Sequence, residues 1–228
     1  MKPKKTDKII LLGSVSLLLF VIGDWGLPYV LGPIVTGYDP LRQVVSDLGS
    51  VGSPVKTIFE RGSIVTGSLL LLSLPGVWQL TSGDNRRKRQ LLLVGLALFA
   101  VGDCIFTGVF KTNHSTSGLT LGTIIHGGAS GAGIVGMLAV PLILSAMAKD
   151  RQNHRGQQIY LLLFAACLLT SLFNGISQGL HFTYKGLWQR ISLVLLYAAP
   201  LLLGSSGLYF VSKKDSLQKK GESMTEED

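Results

Sequence analysis

Six stretches of this chain, at about residues 9–31, 57–80, 91–110, 120–148, 158–178 and 191–211, are roughly 20 residues or longer and almost wholly apolar. A helix rising about 1.5 Å per residue needs about 20 such residues to cross the hydrocarbon core of a bilayer. An open, unpaired segment cannot lie in lipid, because its backbone amides would find no partners there. None of the six shows the alternation of a membrane β-strand. The pattern predicts an all-α fold: an integral membrane bundle of six transmembrane helices over residues 1–211. The charged tail 212–228, with almost no apolar residues, is expected to be disordered. A mean hydropathy of +0.42 with only 15% charged residues argues against a separate soluble domain.

A net charge of +8 could point to nucleic acid, but the basic residues stand in short blocks where apolar runs end, so no nucleic-acid partner is expected. Lys2, Lys4, Lys5 and Lys8 precede the first run, Arg86 to Arg89 follow the second, Lys149, Arg151 and Arg155 follow the fourth, and Lys213, Lys214, Lys219 and Lys220 follow the sixth. These are 15 of the 21 Lys and Arg, all on one side of the alternating path, which places both termini in the cytoplasm. The first run resembles a signal peptide only at its start. It continues through Trp25 to Leu31 without a small-x-small cleavage site and reads as an anchor helix. Cys104 and Cys167 both fall inside spans, where thiols act as small buried hydrophobes.

Ionisable and amide side chains inside the spans carry the functional signal, because placing them in lipid is costly unless they face protein or water. Between Gly102 and Gly133, Asp103 closes one span and His126 opens the next, both roughly 10 Å below the outer surface. A polar hairpin with Lys111 and His114 joins them. Glycines and small residues surround His126, a surface that lets another helix approach closely or lets a substrate in. In the fifth span Ser171, Asn174, Gln178 and His181 follow spacings of three and four, a polar stripe on one face directed at the outer end. Glu60 and Arg61 open the second span, point about 100° apart, and are expected to pair elsewhere. Asp24, in the outer third of the first span, either reaches the headgroups or joins a pocket.

The first outer connection, GPIVTGYDPLRQVVSDLGSVGSPVK, holds Asp39 as an N-cap, Pro40 at the first helical position and Gly49 as a stop. This predicts a short amphipathic helix in the first outer loop, with Asp47 on it, resting on lipid or folded over the bundle as a lid. The combination of YDPLRQVVSDLGSVGSP here, an acid in the third span, His-Gly in the fourth and GLWQR before the last resembles the domain-of-unknown-function 998 family of bacterial and archaeal six-helix membrane proteins. The resemblance spans nearly the whole chain. It implies the same fold, in the cytoplasmic (inner) membrane of a prokaryote, and brings no activity with it.

Three functional readings follow. In the first, a polar pocket open to the outer side binds a lipid headgroup or small polar ligand. Arg61, Lys185 and Arg190 attract its anionic part, Asp103 pairs with His126, and Glu60, Asp47, Asn174, Gln178 and His181 complete the lining. In the second, the protein is a metal-dependent intramembrane hydrolase acting on lipid, with zinc on His126, His181 and Asp103 and a fourth position for water. The short-spaced His-x-x-x-His pair usual in such enzymes is absent. In the third, the buried polar groups hold together a structural subunit of a membrane complex. The expected partners are membrane lipid and another membrane protein or a second copy of the chain.

Overall fold

The computed structural model describes residues 5–110 and 120–225. Six helices long and apolar enough to cross a membrane follow one another, and no strand occurs among the described residues. They are α1 (Lys5–Leu31), α2 (Lys56–Leu80), α3 (Arg86–Val109), α4 (Leu121–Asp150), α5 (His154–Gly179) and α6 (Lys185–Thr225). The hairpin with Lys111 and His114 lies outside the described residues.

Because lipid tails are as apolar as leucine, helix association here depends on close packing and hydrogen bonds. Two glycine contacts show how. A Cβ on Gly13 of α1 would lie 2.5 Å from the Gly76 Cα of α2, so the backbones of these helices touch. A Cβ on Gly102 of α3 would lie 2.4 Å from the Ala129 carbonyl oxygen of α4, and one on Gly133 would lie 2.8 Å from the Asp103 nitrogen. The core contains Leu17, Leu70, Leu92, Leu96, Met137 and Val140. At its centre the rings of Phe20, Phe99 and Tyr197 meet edge to face, with centroids 5.8–6.2 Å apart. Leu12, Ile22, Leu72, Val94, Leu162 and Leu169 are exposed on the bundle's outside, as a lipid-facing surface requires.

The end where α1 begins, here called proximal, carries most of the basic blocks, and several are neutralised. Lys214 pairs with buried Asp7 at 2.6 Å, Lys88 with Asp150 at 2.7 Å, and Arg151 with Asp84. The Arg89 guanidinium stacks 3.5 Å from the Trp78 ring. The pair formed by Lys214 lies past Val211, where the tail was expected to leave the bundle. The last helix instead runs on to Thr225. Both cysteines are buried and free.

The opposite, distal end departs from expectation in its first connection. Of the helix expected between Pro40 and Gly49, the structure contains a 3-10 helix, Val45–Gly49, after a turn. The Asp39 side chain accepts from the Leu41 amide, and its carbonyl accepts from Arg42 and Gln43. The Pro40 and Gln43 carbonyls, which a helix would use internally, accept instead from Arg190. Val44 is extended, and its amide is held by the Asp47 carboxylate at 3.1 Å.

Candidate functional site

The distal half of the bundle encloses a cavity of about 670 Å³ bordered by all six helices and the first connection. Asp24 stands seven residues before the end of α1 and Asp103 six before the end of α3, so both lie about 10 Å in from the distal helix ends. Neither carboxylate pairs with a Lys or Arg among the described residues. Asp24 accepts from the Thr66 hydroxyl at 2.6 Å and from the Tyr197 phenol at 2.5 Å, with the Cys104 thiol 3.9 Å away. Its side chain therefore turns into the bundle rather than up to the headgroups. Asp103 accepts from Ser130 through one oxygen.

Asp103 is presented by unusual backbone. Phe99–Phe106 of α3 is a π-helix, a rare form that recurs at functional sites. The extra residue per turn shifts Gly102 against Ala129 and Asp103 against Gly133, and so brings the carboxylate opposite Ser130. The Thr107 hydroxyl takes up the Asp103 carbonyl that the wider turn leaves under-used.

His126 donates Nδ1–H to the Phe110 carbonyl at 2.9 Å, since a carbonyl can only accept. Asp103 takes its hydrogen bond from Ser130, and among the described residues no bond joins it to His126 as expected. Among the described residues no three His, Cys, Asp or Glu side chains gather closely enough to hold a metal ion, and the zinc set of Asp103, His126 and His181 does not assemble.

The stripe on α5 faces the cavity along its full length: Ser171, Asn174, Gln178 and His181 all line it. Gln178 donates to Asn174 at 3.0 Å, and Ser171 shares a 2.8 Å hydrogen bond with Ser192 of α6. His181 ends α5 in a left-handed conformation, φ 53°, with the Phe182 amide bonded back to the Ser177 carbonyl at 2.8 Å. Glycine normally occupies that position of such a helix end.

Arg190 also lines the cavity, but not as a free anion receptor. It is only 8% exposed and donates to the Pro40, Gln43 and Gly186 carbonyls and to the Tyr38 phenol. Burial pushes the Tyr38 phenol up, and the Arg190 charge beside it offsets part of that rise. The same connection is fastened by the Val45 amide to Gln189 and by the Leu187 amide to the Leu41 carbonyl. Lys185 and Asp47 stand on the rim.

Glu60 and Arg61 lie off this lining. Phe59 and Ser63, one turn apart on α2, face the cavity and leave Glu60 and Arg61 between them directed elsewhere, Arg61 into the open. The lining also includes Asp24 and residues that the sequence reading did not single out, chiefly Tyr197 and Ser130. A tyrosine in mid-span needs a hydrogen-bond partner, and that was the available signal.

The glycines around His126 divide into two groups. Gly133 and Gly136 pack against α3, but Gly127, Gly128 and Gly131 have nothing within 4 Å of a built Cβ. Gly127 and Gly131 on α4 and Gly175 on α5 border the cavity and are exposed, and no atom lies within 4 Å of where their Cβ would stand.

Residues 14–206 match the family model described as Protein of unknown function (DUF998). No curated protein and no solved structure shows a significant match.

Proposed function

The chain belongs to the DUF998 family, and from that premise we propose that it binds the polar part of a membrane amphiphile, a lipid headgroup or a small polar ligand of like chemistry, in the distal cavity. One observation carries this reading. A space of about 670 Å³, lined by carboxylates, amides, imidazoles and hydroxyls, is flanked between α4 and α5 by exposed glycines, Gly127, Gly131 and Gly175. Such a gap lets a headgroup enter sideways while its acyl chains stay in the bilayer. The cavity size is also in the range typical of small-ligand sites. The connection fastened by Arg190 and Gln189 covers the top as a lid.

The distribution of basic residues supports cytoplasmic termini, so the cavity faces the extracytoplasmic side of a prokaryotic inner membrane. Membrane lipid is the first partner, and a second copy of the chain is another.

The test is native mass spectrometry of tag-free protein in mild detergent. Wild type is expected to retain lipid or a small ligand at about one per chain. Gly131→Phe places a ring in open space, and is expected to lose that ligand without a change in thermal stability. Wild-type protein that retains neither lipid nor ligand would contradict the reading.

A further inference from the structure

The order of charges along the cavity narrows the class of ligand, resting on the binding reading above. We infer that its polar part is a zwitterion, with a phosphate at the rim and an organic ammonium at the floor, the chemistry of an amine-bearing phospholipid headgroup.

The rim is rich in hydrogen-bond donors, with the Asp47 carboxylate standing among them. Lys185 begins α6, His181 follows the end of α5 and Gln178 lies one residue inside it. Arg190 stands about 7 Å further along α6, and among the described residues its Nε has no hydrogen-bond partner although the rest of the guanidinium is engaged. A phosphate accepts from such groups, and charge-assisted bonds of this kind are the strong ones.

The floor has the opposite character. Among the described residues Asp24 and Asp103 meet only neutral donors, Thr66, Tyr197 and Ser130, with the Cys104 thiol near Asp24, and nothing there donates to Asp103 Oδ2. Elsewhere in this chain a buried carboxylate at a helix end is answered by a lysine, as Asp7 is by Lys214. Two carboxylates left without a cation around one space are complementary to a cation that arrives from outside. Tyr197 touches Asp24, and Trp25, Tyr29 and Phe59 add aromatic surface elsewhere on the lining, which favours an organic ammonium, whose charge can lie on ring faces. The two ends together select a zwitterion over a purely anionic headgroup, which would bring no positive charge to the floor.

The test presents the tag-free full chain with an equimolar mixture of phosphatidylethanolamine, phosphatidylglycerol and diacylglycerol, and reads retention by native mass spectrometry. Wild type is expected to favour phosphatidylethanolamine over phosphatidylglycerol by about tenfold or more, the worth of one charge-assisted contact. Asp103→Asn is expected to remove most of that preference while phosphatidylglycerol is still retained. Should Asp103→Asn fail to fold, Asp24→Glu serves, because it keeps the charge but moves it, and the same ratio is expected to fall. Lys185→Glu is expected to weaken both phospholipids relative to diacylglycerol. Soluble glycerophosphoethanolamine distinguishes the sources: displacement of the lipid assigns the zwitterion alone as the ligand, and resistance assigns the whole lipid. Equal retention of the two phospholipids by wild type, or a ratio untouched in both acid variants, overturns the zwitterion. Retention of no lipid and no soluble headgroup overturns the binding reading beneath it, a separate result.

Discussion

Asp7 and Asp24 sit on the same helix, 17 residues and nearly five turns apart, and the protein treats them differently. Asp7 is buried and held by Lys214 through both oxygens at 2.6 and 2.7 Å. Among the described residues Asp24 is met by a hydroxyl, a phenol and a thiol, and it lines a cavity. The contrast extends across the molecule. The proximal half is closed by ion pairs, whereas the distal half keeps a cavity and, among the described residues, carboxylates without a Lys or Arg partner. A bundle built only for stability has no reason to accept that asymmetry, since a carboxylate in lipid without a partner is costly. The difference teaches that the two halves satisfy buried carboxylates differently, with a lysine at Asp7 and with neutral donors beside a cavity at Asp24.

The largest effect that can break or sharpen this comparison lies on α4. Gly133→Leu forces a side chain into the Asp103 backbone, where a Cβ already lies 2.8 Å from the nitrogen, and is expected to cost about 3 kcal/mol or more, read as loss of the thermal transition in detergent. Gly131→Leu, two residues earlier, is expected to leave that transition in place because nothing lies within 4 Å of a Cβ there. Equal damage from both would erase the distinction between the packed and the open face of α4.

Next in size is the lid. Arg190→Lys cannot reproduce a planar fork that serves three carbonyls and a phenol, and is expected to cost about 2 kcal/mol locally. Hydrogen–deuterium exchange at the Val45 and Leu187 amides is then expected to accelerate by at least about tenfold, with α2 and α3 unchanged. Exchange that rises everywhere would make Arg190 a general stabiliser instead of a fastening for the connection.

Tyr197→Phe keeps the ring among Phe20 and Phe99 but removes the donor to Asp24, and is expected to lower stability by about 1–2 kcal/mol. Asp24→Asn on top of it is expected to recover part of that loss, because the site no longer holds a charge. A double variant worse than the sum of the two would contradict an Asp24 that lacks a compensating cation.

The smallest effect has the opposite sign. His181 occupies a left-handed position that glycine adopts without cost, so His181→Gly is expected to gain up to about 1 kcal/mol in the thermal transition. If His181 is kept for its place on the rim, the same variant binds ligand less well. A gain in stability with no change in binding would return His181 to an ordinary helix end.

Much of the fold was legible because it depends on local composition. The six spans follow from the length of the apolar runs, and the α5 stripe from the three-and-four spacing of Ser171, Asn174, Gln178 and His181. What could not be read depends on pairing across the chain. Arg190 looked like an anion receptor until the Pro40 and Gln43 carbonyls, some 150 positions away, were seen to use it. Those same bonds withdrew the connection's carbonyls from the helix that Asp39 and Pro40 seemed to announce. Glu60 and Arg61 were placed in the lining because the face of α2 that turns inward is set by its neighbours and not by its own residues. The π-helix around Asp103 leaves no mark in residue type, since one extra residue per turn is fixed by how α3 meets α4.

The central claim, that a headgroup occupies the distal cavity, is tested most directly by photocrosslinking. Protein reconstituted with a phospholipid bearing a photoreactive group on its headgroup would be irradiated, digested and mapped. The account predicts label on cavity-lining positions such as Ser130, Asn174 and Tyr197, lost in Gly131→Phe. Label confined to outward-facing positions such as Leu162 and Leu169, and unchanged in Gly131→Phe, would contradict it.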